Sequence, residues 1–232
     1  MNCFGGILLP NAAALPRRSL AALIGLYNLA ALVFLCDSMA KEIELPIYGV
    51  DPEAVRSRLA SMGARLVGKH SFRRCNFQAS SPGSKGAGYY TKWVRVRTDG
   101  ERTTITLKEQ RGSGIEGRSE YEIEASSFEL AVKILHKLMP EASFDYFENY
   151  REEYAIGELL IALDKFPMLE YSMEIEGPSK DAVMKLYDEM GVKGEIEANK
   201  SVPTSEYYRM HGADYSKLQE SYSALVSELL SG

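Results

Sequence analysis

The run VRVRTDGERTTITLK, residues 94–108, decides the fold. Arg95 and Arg97 alternate with Val94 and Val96, and Thr104, Thr106 and Lys108 alternate with Ile105 and Leu107. A period of two sends successive side chains to opposite faces of a strand. The same period recurs on both sides of this run. Upstream, Glu42, Glu44 and Pro46 oppose Ile43, Leu45 and Ile47. Downstream, Glu120, Glu122 and Glu124 oppose Tyr121 and Ile123, and Ser172, Glu174 and Glu176 oppose Tyr171, Met173 and Ile175. Two further strand-like runs lie near 144–155 and 158–165. Strict alternation with short connections predicts an antiparallel sheet with one apolar face.

Helical spacing interrupts the alternation at defined points. Asp51-Pro52-Glu53 offers a cap, a proline at the first helical position and an early acid ahead of Val55, Leu59 and Met62, and Gly63 stops the run. Ser126 with Glu129 reads as a capping box before Phe128, Val132, Leu135 and Leu138. Ser179 opens a third helix carrying Val183, Leu186 and Met190, with Gly191 after it. Tyr215, Leu218, Tyr222, Leu225 and Leu229 predict a C-terminal helix laid against the domain. Residues 79–91 read as one long flexible loop. Its glycines at 83, 86 and 88 lack the strand-loop-helix setting and G-K-[ST] ending of a phosphate loop.

Composition narrows the chemistry. The chain has 232 residues, 45% hydrophobic, with a formal net charge of −5. A mildly acidic chain argues against non-specific nucleic-acid binding, which needs a basic surface to displace counterions. Cys3, Cys36 and Cys75 are scattered and odd in number, so neither a disulfide framework nor a thiolate metal site is indicated. His70, His136 and His211 form no i, i+4 pair, which disfavours zinc and a His-dependent triad. Catalysis here would use carboxylates, Lys, Arg and a hard cation.

Residues 1–38 form an apolar extension, and residues 39–232 are expected to form a single domain with the C-terminal helix. Residues 19–36 carry no charge and follow Arg17-Arg18. They read as a signal segment with Ser38-Met39-Ala40 as a small-x-small cleavage site, as a membrane anchor interrupted by Asn28, or as a stretch upstream of a working start at Met39. The last reading predicts a cytoplasmic protein; the others predict export or membrane anchoring through residues 17–40.

The polar face of the strands is specific in kind. It holds Glu42, Glu44, Glu120, Glu122, Glu124, Asp164, Glu174 and Glu176 beside Arg95, Arg97, Lys108 and Arg151. One reading is a solvent-facing sheet whose charges pair across strands. The other is a barrel closed with its polar face inward, since about eight strands suffice for closure and the apolar helices are available to cover the outside. In that case the charges converge on a ligand that satisfies both signs. A triphosphate does so: arginines grip phosphoryl oxygens bidentately, while carboxylates hold a divalent cation shared with the phosphates.

The order of these motifs resembles the CYTH family, the triphosphate tunnel metalloenzymes that include class IV adenylyl cyclases, thiamine triphosphatases and inorganic triphosphatases. The resemblance rests on Glu42-x-Glu44, Arg95-x-Arg97, the T-I-T-L-K run ending at Lys108, Glu120-x-Glu122-x-Glu124, Arg151, Asp164, Glu174-x-Glu176 and Lys200-Ser201. It implies an α+β fold, an eight-stranded antiparallel β-barrel tunnel with flanking helices. It also implies Mg²⁺ or Mn²⁺ held by Glu42, Glu44, Asp164, Glu174 and Glu176. Arg95, Arg97, Lys108, Arg151 and Lys200 would bind substrate, and Glu42, Glu44, Arg97 and Lys108 would carry catalysis. The chain departs from the family pattern at Pro46, where a lysine is usual, at Asn149, where a cation is usual, and at Glu170, where small residues are common. Pro46 is expected to end or bend the first strand. Lys41, Lys85, Lys92 and Lys200 are the cations available to replace those missing.

The expected activity is metal-dependent hydrolysis of the triphosphate group of an inorganic or organic triphosphate. Conversion of ATP to cyclic AMP would use nearly the same tunnel, and a non-catalytic triphosphate- or nucleotide-binding module is the third reading. The expected partner is a small-molecule triphosphate, with no nucleic acid, a membrane only through residues 19–36, and a homodimer allowed.

Overall fold

In a computed structural model of the chain, residues 40–78, 90–111, 118–196 and 204–231 are described. They all lie in the unit Met39–Gly232; the apolar segment 1–38 falls outside them. Ten strands form one sheet: β1 (Ala40–Glu42), β2 (Glu44–Tyr48), β3 (Arg65–Gln78), β4 (Tyr90–Thr98), β5 (Thr103–Arg111), β6 (Arg118–Ala125), β7 (Ser143–Ile156), β8 (Leu159–Lys165), β9 (Tyr171–Glu176) and β10 (Glu195–Ile196). The order across the sheet is β1-β6-β5-β4-β3-β7-β8-β9-β2-β10, with antiparallel neighbours throughout.

Closure follows from the two ends of that order. β1 pairs with β6, Ala40 opposite Glu120, while β2, which follows it after Ile43 alone, pairs with β9, Glu44 opposite Glu176. One stretch of nine residues, 40–48, therefore joins the two edges of the curled sheet. Taking β1 and β2 as that single first strand and leaving aside the short β10, the barrel has eight strands, as the family resemblance implies. Pro46 does not end the strand. The interruption falls at Ile43, and β2 stays in register with β9 through Tyr48. β10 touches only Ile47 and Tyr48, so among the described residues one side of β2 is free at Pro46, where a missing N–H is tolerated.

The helices cover the outer face. α1 (Pro52–Ser61) and α3 (Lys180–Met190) bring Val55, Leu59, Val183, Leu186 and Met190 onto Leu45, Ile47, Ile161, Leu163, Met173 and Ile175. α2 (Phe128–Leu138) and α5 (Tyr215–Leu230) bury Phe128, Val132 and Leu229 against Cys75, Phe77, Val96 and Tyr146. Burial of these apolar faces supplies the main driving force for the architecture. α4 (Thr204–Met210) adds Tyr208 to a third cluster with Tyr48, Leu169 and Leu218.

The helix ends follow local chemistry. Asp51 accepts from the N–H groups of Glu53 and Ala54, and Gly191 adopts the left-handed conformation (φ 59°) that ends α3. The cap of α2 is Ser127 and not Ser126: its Oγ accepts from the N–H of Leu130 at 3.1 Å. Tyr90 and Thr91, read from the sequence as loop, open β4. The rest of that loop lies outside the described residues. Among the described residues, no helix is long and apolar enough to cross a membrane.

Candidate active site

Since the apolar face packs under helices, the charged face of the closed sheet lines its interior. Strand registers show which inward residues stand opposite each other. Arg97 faces Arg74 on one side and Thr104 on the other, Arg95 faces Asn76 and Thr106, and Lys108 faces Trp93 and Glu120. Across the barrel's other strands, Arg151 faces Asp164, Ala162 faces Glu174, and Glu176 faces Glu44.

Arg151 joins two of the expected metal-binding carboxylates. Its Nε donates to Asp164 Oδ1 at 2.9 Å, and its Nη2 donates to Asp164 Oδ2 at 2.5 Å and to Glu174 Oε2 at 2.9 Å. Asn149 completes this corner by donating from Nδ2 to Asp164 Oδ1 at 2.7 Å. The amide at the position of a missing cation thus serves to hold Asp164. Burial pulls the acidity of the Arg151 guanidinium toward the neutral form, but Asp164 and Glu174 outweigh it and keep the group charged.

Glu44 is buried and ion-paired with Arg118 of β6, across the seam that closes the barrel. Lys108 is ion-paired with Glu120. Arg95 donates to Thr106 Oγ1 at 3.3 Å and lies 4.0 Å from Glu122. Lys92 points to the outer face and pairs with Glu109 at 3.4 Å, so it replaces no inward cation.

Of the residues expected at the site, Glu44, Arg95, Arg97, Lys108, Arg151, Asp164, Glu174 and Glu176 all occupy inward positions. Lys200, Lys85 and the side chains of Glu42 and Lys41 lie outside the described residues. Lys108 and Arg97, paired above as catalytic, stand apart: Thr104 is opposite Arg97, and Lys108 is four residues further along β5, about 13 Å at strand rise. Among the described residues, no three His, Cys, Asp or Glu side chains are grouped to hold a metal ion. The arginines account for this, since Arg118 engages Glu44 while Arg151 engages Asp164 and Glu174.

Three inward residues escaped the sequence reading. Arg118 opens β6 and Trp93 lies within β4 opposite Lys108, with the Arg118 guanidinium 5.6 Å from the indole ring. Arg74 lies on β3, a strand whose RLVGKHSFRRCNFQ sequence shows no clean period of two. The adjacent arginines explain that. Arg73 points outward to Glu129 at 3.0 Å and to the Phe128 ring, and Arg74 points in. Only the pairing of β3 with both β4 and β7 reveals it.

The fold and the sequence have counterparts among known proteins. Residues 89–202 match the model of the CYTH domain. A Pyrococcus horikoshii protein aligns with a TM-score of 0.58 at 19% identity, covering 68% of this chain and 95% of that one. A conserved Pyrococcus furiosus protein aligns at 0.58 and 18% identity, covering 69% and 97%. A Vibrio parahaemolyticus protein with a provisional assignment as an adenylate cyclase aligns at 0.53 and 12% identity, covering 75% and 99%. Against curated proteins the sequence has no match.

Proposed function

We propose, starting from the match of residues 89–202 to the CYTH domain, that the barrel is the site of a metal-dependent hydrolase acting on the triphosphate group of an inorganic or organic triphosphate. The observation that carries this reading is the inward convergence of arginines and carboxylates from separate strands, with Arg151 between Asp164 and Glu174 and with Arg97 and Arg95 on the β4 wall. An interior of that kind needs a ligand bearing negative charge for the guanidiniums, plus positive charge for the carboxylates they release.

The family's tunnel enzymes are metal-dependent. The donor set here fits a hard cation in kind. Glu44 and Glu176 are directly opposite on β2 and β9, and Glu174 is two residues along the same face. All offer carboxylate oxygen, which suits Mg²⁺ or Mn²⁺. Glu44, Glu174 and Glu176, with Glu42 and Asp164, would hold that ion, whose chemistry when bound is to polarise phosphoryl oxygens and lower the pKa of water.

On this reading the protein's own groups exchange partners. In the ligand-free barrel Arg151 neutralises Asp164 and Glu174; when a triphosphate enters, Arg151 transfers to phosphoryl oxygen and the carboxylates become available. Arg95, Arg97 and Lys108 grip the remaining oxygens, with Lys200 as a further candidate. Positive side chains fixed before reaction stabilise the charge on the transferred phosphoryl group without reorganising. Water attacks the terminal phosphorus, the bridging P–O bond breaks, and the water proton is released.

The test is a product assay on inorganic triphosphate, ATP and thiamine triphosphate with Mg²⁺ and with Mn²⁺. Orthophosphate release is expected. Cyclic nucleotide plus pyrophosphate would replace hydrolysis by cyclisation, and tight binding with no product over long incubation would reduce the site to a binding module. Absence of both binding and product would end the proposal.

A further inference from the structure

His70 stands on the inner face of β3, directly opposite Arg151 of β7. Three contacts fix its ring. Nδ1 lies 3.0 Å from Asp99 Oδ2. The ring stacks on Phe72, 5.1 Å between centroids and 13° between planes. Nε2 lies against Gly68, where a Cβ would collide with it. Asp99 sits in the turn between β4 and β5 and is itself anchored, its Oδ1 accepting from the N–H groups of Glu101 and Arg102 at 3.0 and 2.9 Å. Burial pulls that carboxyl up, but the Arg102 and Glu101 N–H groups outweigh it and hold it below the usual carboxylate range. An ionised carboxylate only accepts, so Nδ1 carries the proton and, in the neutral ring, Nε2 carries the lone pair.

That lone pair has no donor of its own. Nε2 faces Glu153 Oε2 at 3.8 Å, too far for a hydrogen bond and close enough to favour a positive ring. Glu153 in turn lies 4.0 Å from Arg151. Among the described residues the charged groups facing the ring are therefore Asp99 from the turn and Glu153 and Arg151 from β7; Gly68 and Phe72, its same-face neighbours on β3, carry none. The His70 side chain is 29% exposed, so water reaches it. Directly opposite residues have Cβ atoms about 5 Å apart, which puts a phosphoryl group held by Arg151 beside the imidazole. No sequence spacing reveals the set, since residues 70, 99 and 153 come from a strand, a turn and a second strand.

We infer that His70 is a further catalytic residue, the general base that takes a proton from the attacking water. The inference rests on the hydrolytic reading above and supplies its proton acceptor. Nε2 removes one proton as the water oxygen bonds to the terminal phosphorus. The bridging P–O bond breaks, and its electron pair leaves on the shortened phosphate chain. The imidazolium so formed lies between two carboxylates, Asp99 holding its orientation and Glu153 offsetting its charge, and it returns the proton to solvent.

The experiment compares wild type with His70→Asn and Asp99→Asn in phosphate release from inorganic triphosphate, ATP and thiamine triphosphate with Mg²⁺, from about pH 5 to 9, with thermal melts of each protein. His70→Asn keeps a donor near the place of Nδ1 and deletes Nε2, so a ring that only ties the turn to β3 predicts normal turnover. A fall in kcat of about 100-fold is expected instead, with KM unchanged and without the rise in kcat that follows loss of the ring proton. Asp99→Asn keeps the ring but not the carboxylate that fixes its tautomer, and is expected to lose about 10-fold or more in kcat. If His70→Asn does not fold, Gly68→Ala, which displaces the ring, decides by the same criteria. Wild-type kcat in the folded variant, an unchanged pH profile, or a loss confined to KM overturns the inference and leaves the hydrolytic reading standing. No phosphate release by folded wild type from any of the three substrates overturns both.

Discussion

Two buried sets of charges sit on opposite faces of the same sheet, and they are finished to different degrees. On the outer face, Glu152 of β7 accepts from Arg56 Nε at 2.9 Å, from Tyr154 at 2.7 Å and from Tyr150 at 3.2 Å. Every oxygen of that carboxylate has a donor within the fold. On the inner face Arg74 Nε and Nη2 have no acceptor, and the orphaned Thr104 Oγ1, Asn76 Oδ1 and Asn149 Oδ1 lie on the same face. Buried polar groups are ordinarily satisfied. Completion by the chain itself marks Glu152 as part of the scaffold. Incompleteness on the inner face marks a place that something else completes.

The largest effects should come from the unfinished side. Arg97→Met and Glu174→Gln are each expected to reduce turnover about 100-fold or more, while both variants melt within a few degrees of wild type. Phosphate release and thermal melts read the two quantities separately. Near-normal rates in both variants would contradict the assignment of the interior as the site.

The finished side should respond in the reverse way. Arg56→Ala leaves Glu152 buried with two phenols and the Lys69 ammonium at 3.5 Å, and is expected to destabilise the fold by about 2 kcal/mol, reduced from the full buried-pair value because Lys69 remains and Arg56 is itself 28% exposed at its side chain. Denaturant unfolding measures it, and turnover per folded molecule should not change.

Glu152 also sets an acid limb of stability. Burial alone would raise its carboxyl, but the Arg56 and Tyr154 hydrogen bonds outweigh burial and hold it down at about 2, against an ordinary 4.5. A depressed carboxyl stabilises the fold above its unfolded value and loses that contribution as pH falls. On the order of 3 kcal/mol should therefore disappear between about pH 4.5 and 2. Unfolding measured at pH 5.5, 4 and 3 should show this slope in wild type and a shallower one in Glu152→Gln.

The smallest expected effect separates neighbouring serines. Ser127→Ala should cost about 1 kcal/mol by orphaning the Leu130 N–H, and Ser126→Ala close to nothing. Equal losses in denaturant melts would return the cap to Ser126.

The alternating strands were legible because each has one face in apolar packing and one in charge. That made the barrel and most inward charges readable from residues 42–176, and helical spacing added the flanking helices out to Leu229. β3 was not legible, since Arg73 and Arg74 place a cation on each face and hide the period. The cap moved by one residue for a related reason: Ser126 and Ser127 both offer a hydroxyl, and only backbone geometry decides between them. Pro46 looked like a strand terminator because its consequence depends on whether a neighbouring strand needs its N–H. Pairing of Arg151 with Asp164 and Glu174 was equally hidden, being a matter of register between β7, β8 and β9.

The seam at residues 40–48 carries a kinetic consequence. Its partners, Glu120 for Ala40 and Glu176 for Glu44, are among the most distant pairings among the described residues, so this strand has to wait for β9 before it can be zipped on both sides. Until then β6 and β9 present open ladders to other molecules. Completing the cylinder and concealing its stickiest edges are one late event, governed by nine residues.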